Sequence, residues 1–172
     1  MLKTFEESLR LVRARSRRDW QRDFPEPALS LWIPKRPQEP LVPAESVGFA
    51  DRTREDSGVG GPFLSIGRSH VGWLRKSDRN AFPVISLGRG DECDVRIDIA
   101  TISKLHAVFA SCAGVWSLSD RGARNGLVVN ERAIESGGST DLRSGDQLLF
   151  GTQVEATFHS SDGLYDFLSL LA

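Results

Sequence analysis

The sequence predicts an all-β sandwich or barrel between residue 63 and about residue 160, with a helix near each end of the chain. Short apolar runs recur there at regular intervals, and polar turns rich in glycine separate them. Within 115–119, Trp116 and Leu118 hold alternate positions, as expected for a strand with one buried face. The predicted strands are 63–67, 71–75, 83–87, 94–97, 106–110, 115–119, 127–129, 133–134, 147–150 and 154–159.

Residues 1–24 are predicted to form one amphipathic helix. Thr4 and Glu7 have the spacing of a capping box, and Pro25 follows the last helical residue. The apolar residues that share one face of this helix are Leu2, Phe5, Leu9, Val12 and Trp20. This face is free to dock on the sandwich, on a second copy or on a partner protein. The arginines of this helix are Arg10, Arg13, Arg15, Arg17, Arg18 and Arg22. We interpret them as a solvated face, because arginines on a single helix provide no means of recognising a nucleic-acid sequence.

Residues 25–61 are rich in proline and glycine and are predicted to be a linker or a docked arm. The domain itself is predicted to cover 62–172. Its last segment returns to helical spacing, with Ser161-Asp162 as N-cap and an apolar face that predicts a short C-terminal helix. This face comprises Leu164, Phe167, Leu168 and Leu171.

Composition and motifs exclude several classes of function. The 22 basic and 23 acidic residues give a net charge of -1, so no argument for nucleic acid or an anionic membrane follows from the whole chain. The chain has no apolar run that could span a bilayer and no signal-peptide pattern, which predicts a cytoplasmic protein. Two cysteines and three widely spaced histidines fit neither a metal centre nor a catalytic motif. We therefore expect no metal, no cofactor and no enzymatic activity.

Residues suited to phosphate binding stand where predicted strands end. Gly88-Arg89 closes one strand, 103–106 opens another, and 120–126 forms a tight loop that is followed by a short strand and Asn130. Loops at one end of a sandwich converge, so these segments are expected to build one site on a rigid scaffold.

At these positions the sequence resembles the forkhead-associated (FHA) domain, a module that binds phosphothreonine peptides. The resemblance covers about half the chain. It implies a β-sandwich of about eleven strands whose loops at one end bind the phosphate. The matching residues are Gly88-Arg89, Cys93-Asp94-Val95, Ser103, His106-Ala107, Asp120, Gly122, Asn125-Gly126, Val129-Asn130, Gly145-Asp146 and Phe150-Gly151.

The resemblance also implies roles for individual residues. Arg89 would bind two phosphate oxygens, Ser103 would donate to another oxygen, and Lys104 would add a neighbouring positive charge. Asn125 would hold the peptide backbone through its carboxamide. The residues implied to support the site without touching the ligand are Gly88, His106, Gly126 and Asn130.

One loop departs from the family pattern. Where family members commonly have hydroxyl residues around the Asn-Gly pair, this chain has Ala123-Arg124 before it and Leu127 after it. Two arrangements are open. Either Arg124 turns inward and supplies a second guanidinium, which we favour, or it points to solvent and leaves a weak or phosphate-independent site.

The expected function is a non-enzymatic adaptor in Ser/Thr kinase signalling. Its partner would be a threonine-phosphorylated protein, either a kinase or a kinase substrate. The alternative is a scaffold protein of the same fold that binds partners independently of phosphate. For Arg89 by itself, an ordinary surface ion pair with Asp91 or Asp94 is the competing interpretation.

Overall fold

The computed structural model describes residues 2–33, 69–78 and 83–172. The predicted strand 63–67 and the proposed domain boundary at residue 62 lie outside these ranges. So does most of the segment 25–61.

The described residues form two packed β-sheets with three short helices, which confirms the predicted β-sandwich. The elements in chain order are β1 (Leu2–Thr4), α1 (Phe5–Arg13), α2 (Arg17–Asp23), β2 (Ala28–Trp32), β3 (Ser69–Trp73), β4 (Ile85–Gly88), β5 (Val95–Arg96), β6 (Ala107–Cys112), β7 (Val115–Asp120), β8 (Leu127–Val129), β9 (Arg132–Ile134), β10 (Ser139–Leu142), β11 (Gln147–Phe150), β12 (Val154–His159) and α3 (Ser161–Leu171). One sheet has the order β1-β3-β2-β12-β11-β8-β9, and the other has the order β10-β7-β6-β4-β5.

The N-terminal segment is not the single helix that its spacing predicts. Residues 2–4 pair with β3, and two separate helices follow. Thr4 and Glu7 do form the predicted capping box at the start of α1, whereas the side chain of Ser16 accepts a hydrogen bond from the Asp19 amide and begins a second helix. A second N-cap inside an apolar pattern of helical spacing is the physical reason for the break.

The strand β2 was not predicted as a strand, although it lies inside the seven-stranded sheet. It pairs with β3 on one side and β12 on the other, and all its residues but Trp32 are buried. The N-terminal part of the chain is therefore built into the sandwich.

Two apolar cores lie on opposite faces of this sheet. The larger core fills the space between the two sheets and includes the fully buried Phe109 and Phe150. The smaller core lies under the three helices and surrounds Trp20, which is 0% exposed. The predicted apolar residues Phe5, Leu9 and Val12 pack into this smaller core, so the N-terminal face docks on its own domain.

The N-terminal arginines are largely held in ion pairs with nearby carboxylates. Arg15 binds Asp23 at 3.1 Å, and Arg17 binds Asp166 of α3. Such pairs at or near the surface stabilise little, but they fix the direction of the side chains. Within the described ranges, none of the three helices is long and apolar enough to cross a bilayer.

A buried histidine under α3 predicts how stability depends on pH. His159 shares a hydrogen bond of 2.9 Å with Ser30 on β2, its ring stacks on Phe167, and burial lowers its pKa to about 4. Because an unfolded histidine takes up its proton near pH 6.5, the unfolded state binds more protons between these pH values. We expect the free energy of unfolding to fall as the pH drops from about 6.5 towards 4.

Urea denaturation at a series of pH values measures this dependence, with His159→Leu as the variant. The variant should lose part of the slope between pH 6.5 and 4, while carboxylate titration at lower pH stays the same in both proteins. An identical slope in both proteins would contradict the assignment.

Candidate functional site

Three loops meet at one end of the sandwich. They follow β4 (residues 89–90), precede β6 (100–105) and connect β7 to β8 (121–126). The first two loops are joined by backbone hydrogen bonds of 2.9 Å each, from the Arg89 amide to the Ser103 carbonyl and from the Gly90 amide to the Lys104 carbonyl. Residues far apart in sequence are thus fixed side by side.

A cavity of about 240 Å³ opens between these loops. It is lined by all five residues that the sequence predicted as phosphopeptide contacts. The lining consists of Arg89, Ala100, Thr101, Ile102, Ser103, Lys104, Arg124 and Asn125. Arg124, whose direction the sequence left open, is among them.

The guanidinium of Arg89 is anchored at one end and available at the other. Its Nε donates to the Ile102 carbonyl at 3.3 Å, which leaves both terminal nitrogens for a ligand. Asp91 pairs with Arg96 at 3.1 Å, and Asp94 is bound by Lys76 at 3.3 Å. The interpretation of Arg89 as the ion-pair partner of Asp91 or Asp94 is therefore wrong.

Ser103 and Asn125 each use one hydrogen-bonding group of the side chain within the protein and keep another available for a ligand. The Ser103 hydroxyl oxygen accepts from the Arg124 amide at 3.1 Å, so its own proton can still be donated. The Asn125 amide nitrogen donates to the Thr101 carbonyl at 2.8 Å, which leaves its carbonyl oxygen as an acceptor. The cavity thus offers one hydroxyl donor and one carbonyl acceptor.

The positive charges around the cavity have no carboxylate partner among residues 2–33, 69–78 and 83–172. Arg89, Lys104 and Arg124 are exposed, and in the described part of the chain none of the three forms an ion pair. A phosphate monoester carries a charge of about -1.5 to -2 at neutral pH, which three such cations would more than neutralise.

His106 connects two of the loops from below and is 0% exposed. Its Nδ1 accepts from the Ser103 amide at 3.2 Å, and its Nε2 donates to the Gly126 carbonyl at 3.0 Å. This pattern requires the neutral ring with its proton on Nε2. Burial lowers the pKa of His106, against smaller opposing contributions from the Gly126 bond and the Asp120 carboxylate.

Backbone packing, backbone conformation and hydrogen bonding each explain one of three other residues near the cavity. A Cβ on Gly88 would overlap the Lys104 carbonyl, so only glycine fits there. Gly126 has a φ of 72°, a left-handed conformation that favours glycine. The buried Asp120 accepts from the Gly122 and Ala123 amides at 2.7 and 3.1 Å, and this fixes the start of its loop.

Asn130 does not lie at this end of the sandwich. It follows the far end of β8, where its side chain donates to Asp146 at 2.8 Å and accepts from the Gln147 amide at 2.9 Å. It joins the turn after β8 to the start of β11 and does not touch the loops of the cavity.

Sequence reasoning assigned no role to Gly151 beyond its place in the motif, and it did not predict a second cavity in this region. Gly151 packs under the site, since a Cβ there would lie 2.8 Å from the Thr101 carbonyl oxygen and 3.6 Å from the Cβ of Asn125. A second cavity beside the first is lined by Asp91, Glu92, Arg96 and Asp98 as well as by Arg89. The run of acidic residues after Arg89 was a signal for this cavity, but their partners could not be read from spacing.

Comparisons with known proteins agree with this geometry. The FHA domain family model matches residues 85–151, which contain all three loops. An oxoglutarate dehydrogenase inhibitor of Corynebacterium efficiens is 31% identical over 125 residues, with 66% of this chain and 86% of that protein covered. The glycogen accumulation regulator GarA of Mycolicibacterium smegmatis is 33% identical over 69 residues, with 40% of this chain and 42% of that protein covered.

Solved structures include the N-terminal FHA domain of Rad53p from S. cerevisiae in complex with a phosphothreonine peptide. It is 18% identical, covers 56% of this chain and 89% of its own, and has a TM-score of 0.46. Because the matched region contains the whole candidate site and the corynebacterial relative is covered over most of its length, the chain belongs to the FHA domain family.

Proposed function

We propose that this protein is a non-enzymatic module that binds a threonine-phosphorylated segment of a partner protein in Ser/Thr kinase signalling. One observation carries the proposal. Three cations without carboxylate partners, a hydroxyl donor and a carboxamide acceptor surround one cavity at the end of a rigid sandwich. Such a set matches a phosphate dianion attached to a peptide backbone.

Each residue has a distinct part in the proposed complex. Arg89 presents its two terminal nitrogens to two phosphate oxygens, and Ser103 donates its hydroxyl proton to an oxygen. Lys104 and Arg124 add positive charge at the rim, so Arg124 would replace the hydroxyl that other family members place in this loop. Asn125 accepts from a backbone amide of the peptide.

The features around the cavity support binding rather than catalysis. His106 is the nearest candidate for a general base, yet both its ring nitrogens are used in bonds that hold the loops. The two curated relatives are named as an inhibitor and a regulator. The partner is proposed to be a Ser/Thr kinase or its substrate, in the cytoplasm.

Fluorescence anisotropy with three otherwise identical peptides tests the proposal. We expect a peptide with phosphothreonine to bind, and one with plain threonine to bind at least about tenfold more weakly, since several charge-assisted hydrogen bonds of about 1.5–3 kcal/mol each are lost. A phosphoserine peptide shows how far the methyl group matters. Equal affinity for all three peptides would contradict the proposal and favour the phosphate-independent scaffold.

A further inference from the structure

The second cavity, of about 310 Å³, adjoins the proposed phosphate site. The two cavities share Arg89 and Lys104, so a ligand that fills the first lies next to the second. The remaining lining residues are Gly90, Asp91, Glu92, Arg96 and Asp98. These residues belong to the segment that follows β4 and to the residues around β5.

Glu92 is the carboxylate of this cavity that binds no cation in the described part of the chain. Arg96 is already bound by Asp91 at 3.1 Å and by Asp98 at 3.3 Å, and its Nε points to the Arg89 carbonyl at 3.4 Å. No ion pair of Glu92 occurs among the residues that the structure describes. Its carboxylate is exposed and can accept a partner from outside the chain.

The backbone places this carboxylate close to Arg89. The Glu92 carboxyl carbon and its oxygens lie 2.5–2.7 Å from the position that a Cβ on Gly90 would take. The carboxylate therefore lies against the residue directly after Arg89, within reach of a peptide side chain next to the bound phosphate.

We infer that Glu92 selects partner segments that carry an arginine or lysine close to the phosphothreonine. The inference rests on the proposed function, because it is the bound phosphate that neutralises the shared Arg89 and Lys104. The rest of the second cavity then has three carboxylates against the single guanidinium of Arg96. A basic side chain of the peptide would neutralise part of this excess negative charge.

The size of the effect follows from the exposure of Glu92. A salt bridge at an exposed site changes affinity by about two- to fivefold, and added salt screens it. The effect therefore tunes the choice among phosphorylated partners and does not replace the phosphate as the main source of affinity.

A set of phosphothreonine peptides tests the inference by fluorescence anisotropy. Each peptide carries one arginine at one of the three positions on either side of the phosphothreonine, with alanine elsewhere, and an all-alanine peptide is the reference. Wild type is compared with Glu92→Gln and with Asp141→Asn. The latter removes one negative charge from the exposed residue Asp141 on β10, outside both cavities.

At one position or more, arginine should improve binding to wild type and to Asp141→Asn by about two- to fivefold. This gain should disappear in Glu92→Gln. A gain of equal size in Glu92→Gln, or no gain from arginine at any position, would overturn the inference. If wild type binds the all-alanine peptide no better than its unphosphorylated form, the proposed function itself has failed, which is a distinguishable result.

Discussion

Replacing Arg89 by alanine is expected to weaken the binding of a phosphothreonine peptide by about 2–5 kcal/mol, or roughly 30- to several-thousandfold. Among the residues that the structure describes, a side-chain hydrogen bond from Nε to the Ile102 carbonyl holds the Arg89 guanidinium in place, whereas no such bond holds Lys104 or Arg124. A bidentate contact to two phosphate oxygens combines charge with fixed geometry. Loss of both contacts leaves Lys104 and Arg124, whose exposed side chains must be ordered on binding.

Arg89→Lys separates charge from geometry in the same experiment. The lysine keeps the positive charge but lacks the planar fork, so its affinity should lie between those of wild type and Arg89→Ala. If Arg89→Lys binds as well as wild type, the contact is a simple charge interaction and the bidentate arrangement is wrong.

Arg132→Ala is the matched control. Arg132 is an exposed arginine at the start of β9, next to the turn at the end of the sandwich far from the cavity. It should leave the affinity within about twofold of wild type. Isothermal titration calorimetry on all variants, with urea denaturation to show unchanged stability, checks the prediction. Equal affinity of wild type and Arg89→Ala for the phosphorylated peptide would overturn the assignment.

The parts of the fold that the sequence predicted are those with a strong local pattern. The strands 127–129, 147–150 and 154–159 match the structure because apolar residues there enter the core and polar turns bound them. The strand β10 was missed because it is an edge strand with only Leu142 buried. The strand β2 was missed because neighbouring prolines suggested a linker, whereas its burial comes from pairing with residues far along the chain.

The site was predictable to the extent that short motifs locate backbone turns. The order Gly88-Arg89, Ser103 and Asn125-Gly126 identified the three loops, and the structure brings Arg89, Ser103 and Asn125 to one cavity. The partners of individual charges were not predictable. Asp91 lies two residues from Arg89 but pairs with Arg96, because the turn between β4 and β5 brings the Asp91 carboxylate to the guanidinium of Arg96 on β5.

Gly88→Ala is expected to lower the free energy of unfolding by about 3 kcal/mol or more. The added Cβ would overlap the carbonyl group of Lys104 and lie 3.0 Å from the Cys93 sulfur. The Lys104 carbonyl cannot retreat freely, since it accepts hydrogen bonds from the Gly90 amide and the Cys93 thiol. Forced overlap with backbone in a packed region costs more than the 1–3 kcal/mol typical of an extra methylene among side chains.

Gly90→Ala supplies the matched control two residues further along the same loop. Its Cβ would meet the carboxylate of Glu92, which is the free end of an exposed side chain and can swing away. We expect its free energy of unfolding to stay within about 1 kcal/mol of wild type. Urea denaturation followed by circular dichroism measures both variants, and equal stability of Gly88→Ala and Gly90→Ala would show that the loops do not pack as described.

Gly88→Ala and Arg89→Ala together distinguish the support of the site from its contact with the ligand. Substitutions at these two neighbouring residues should affect different quantities, one the stability and the other the affinity. Gly88 holds the loop containing Ser103 and Lys104 in position, whereas the side chain of Arg89 points into the cavity. Arg89→Ala should keep the stability of wild type and lose affinity. Gly88→Ala should lose stability first, and any folded fraction should bind weakly because Ser103 and Lys104 have moved. If Gly88→Ala is as stable as wild type, the close approach of Gly88 to the Lys104 carbonyl does not hold the two loops together as described.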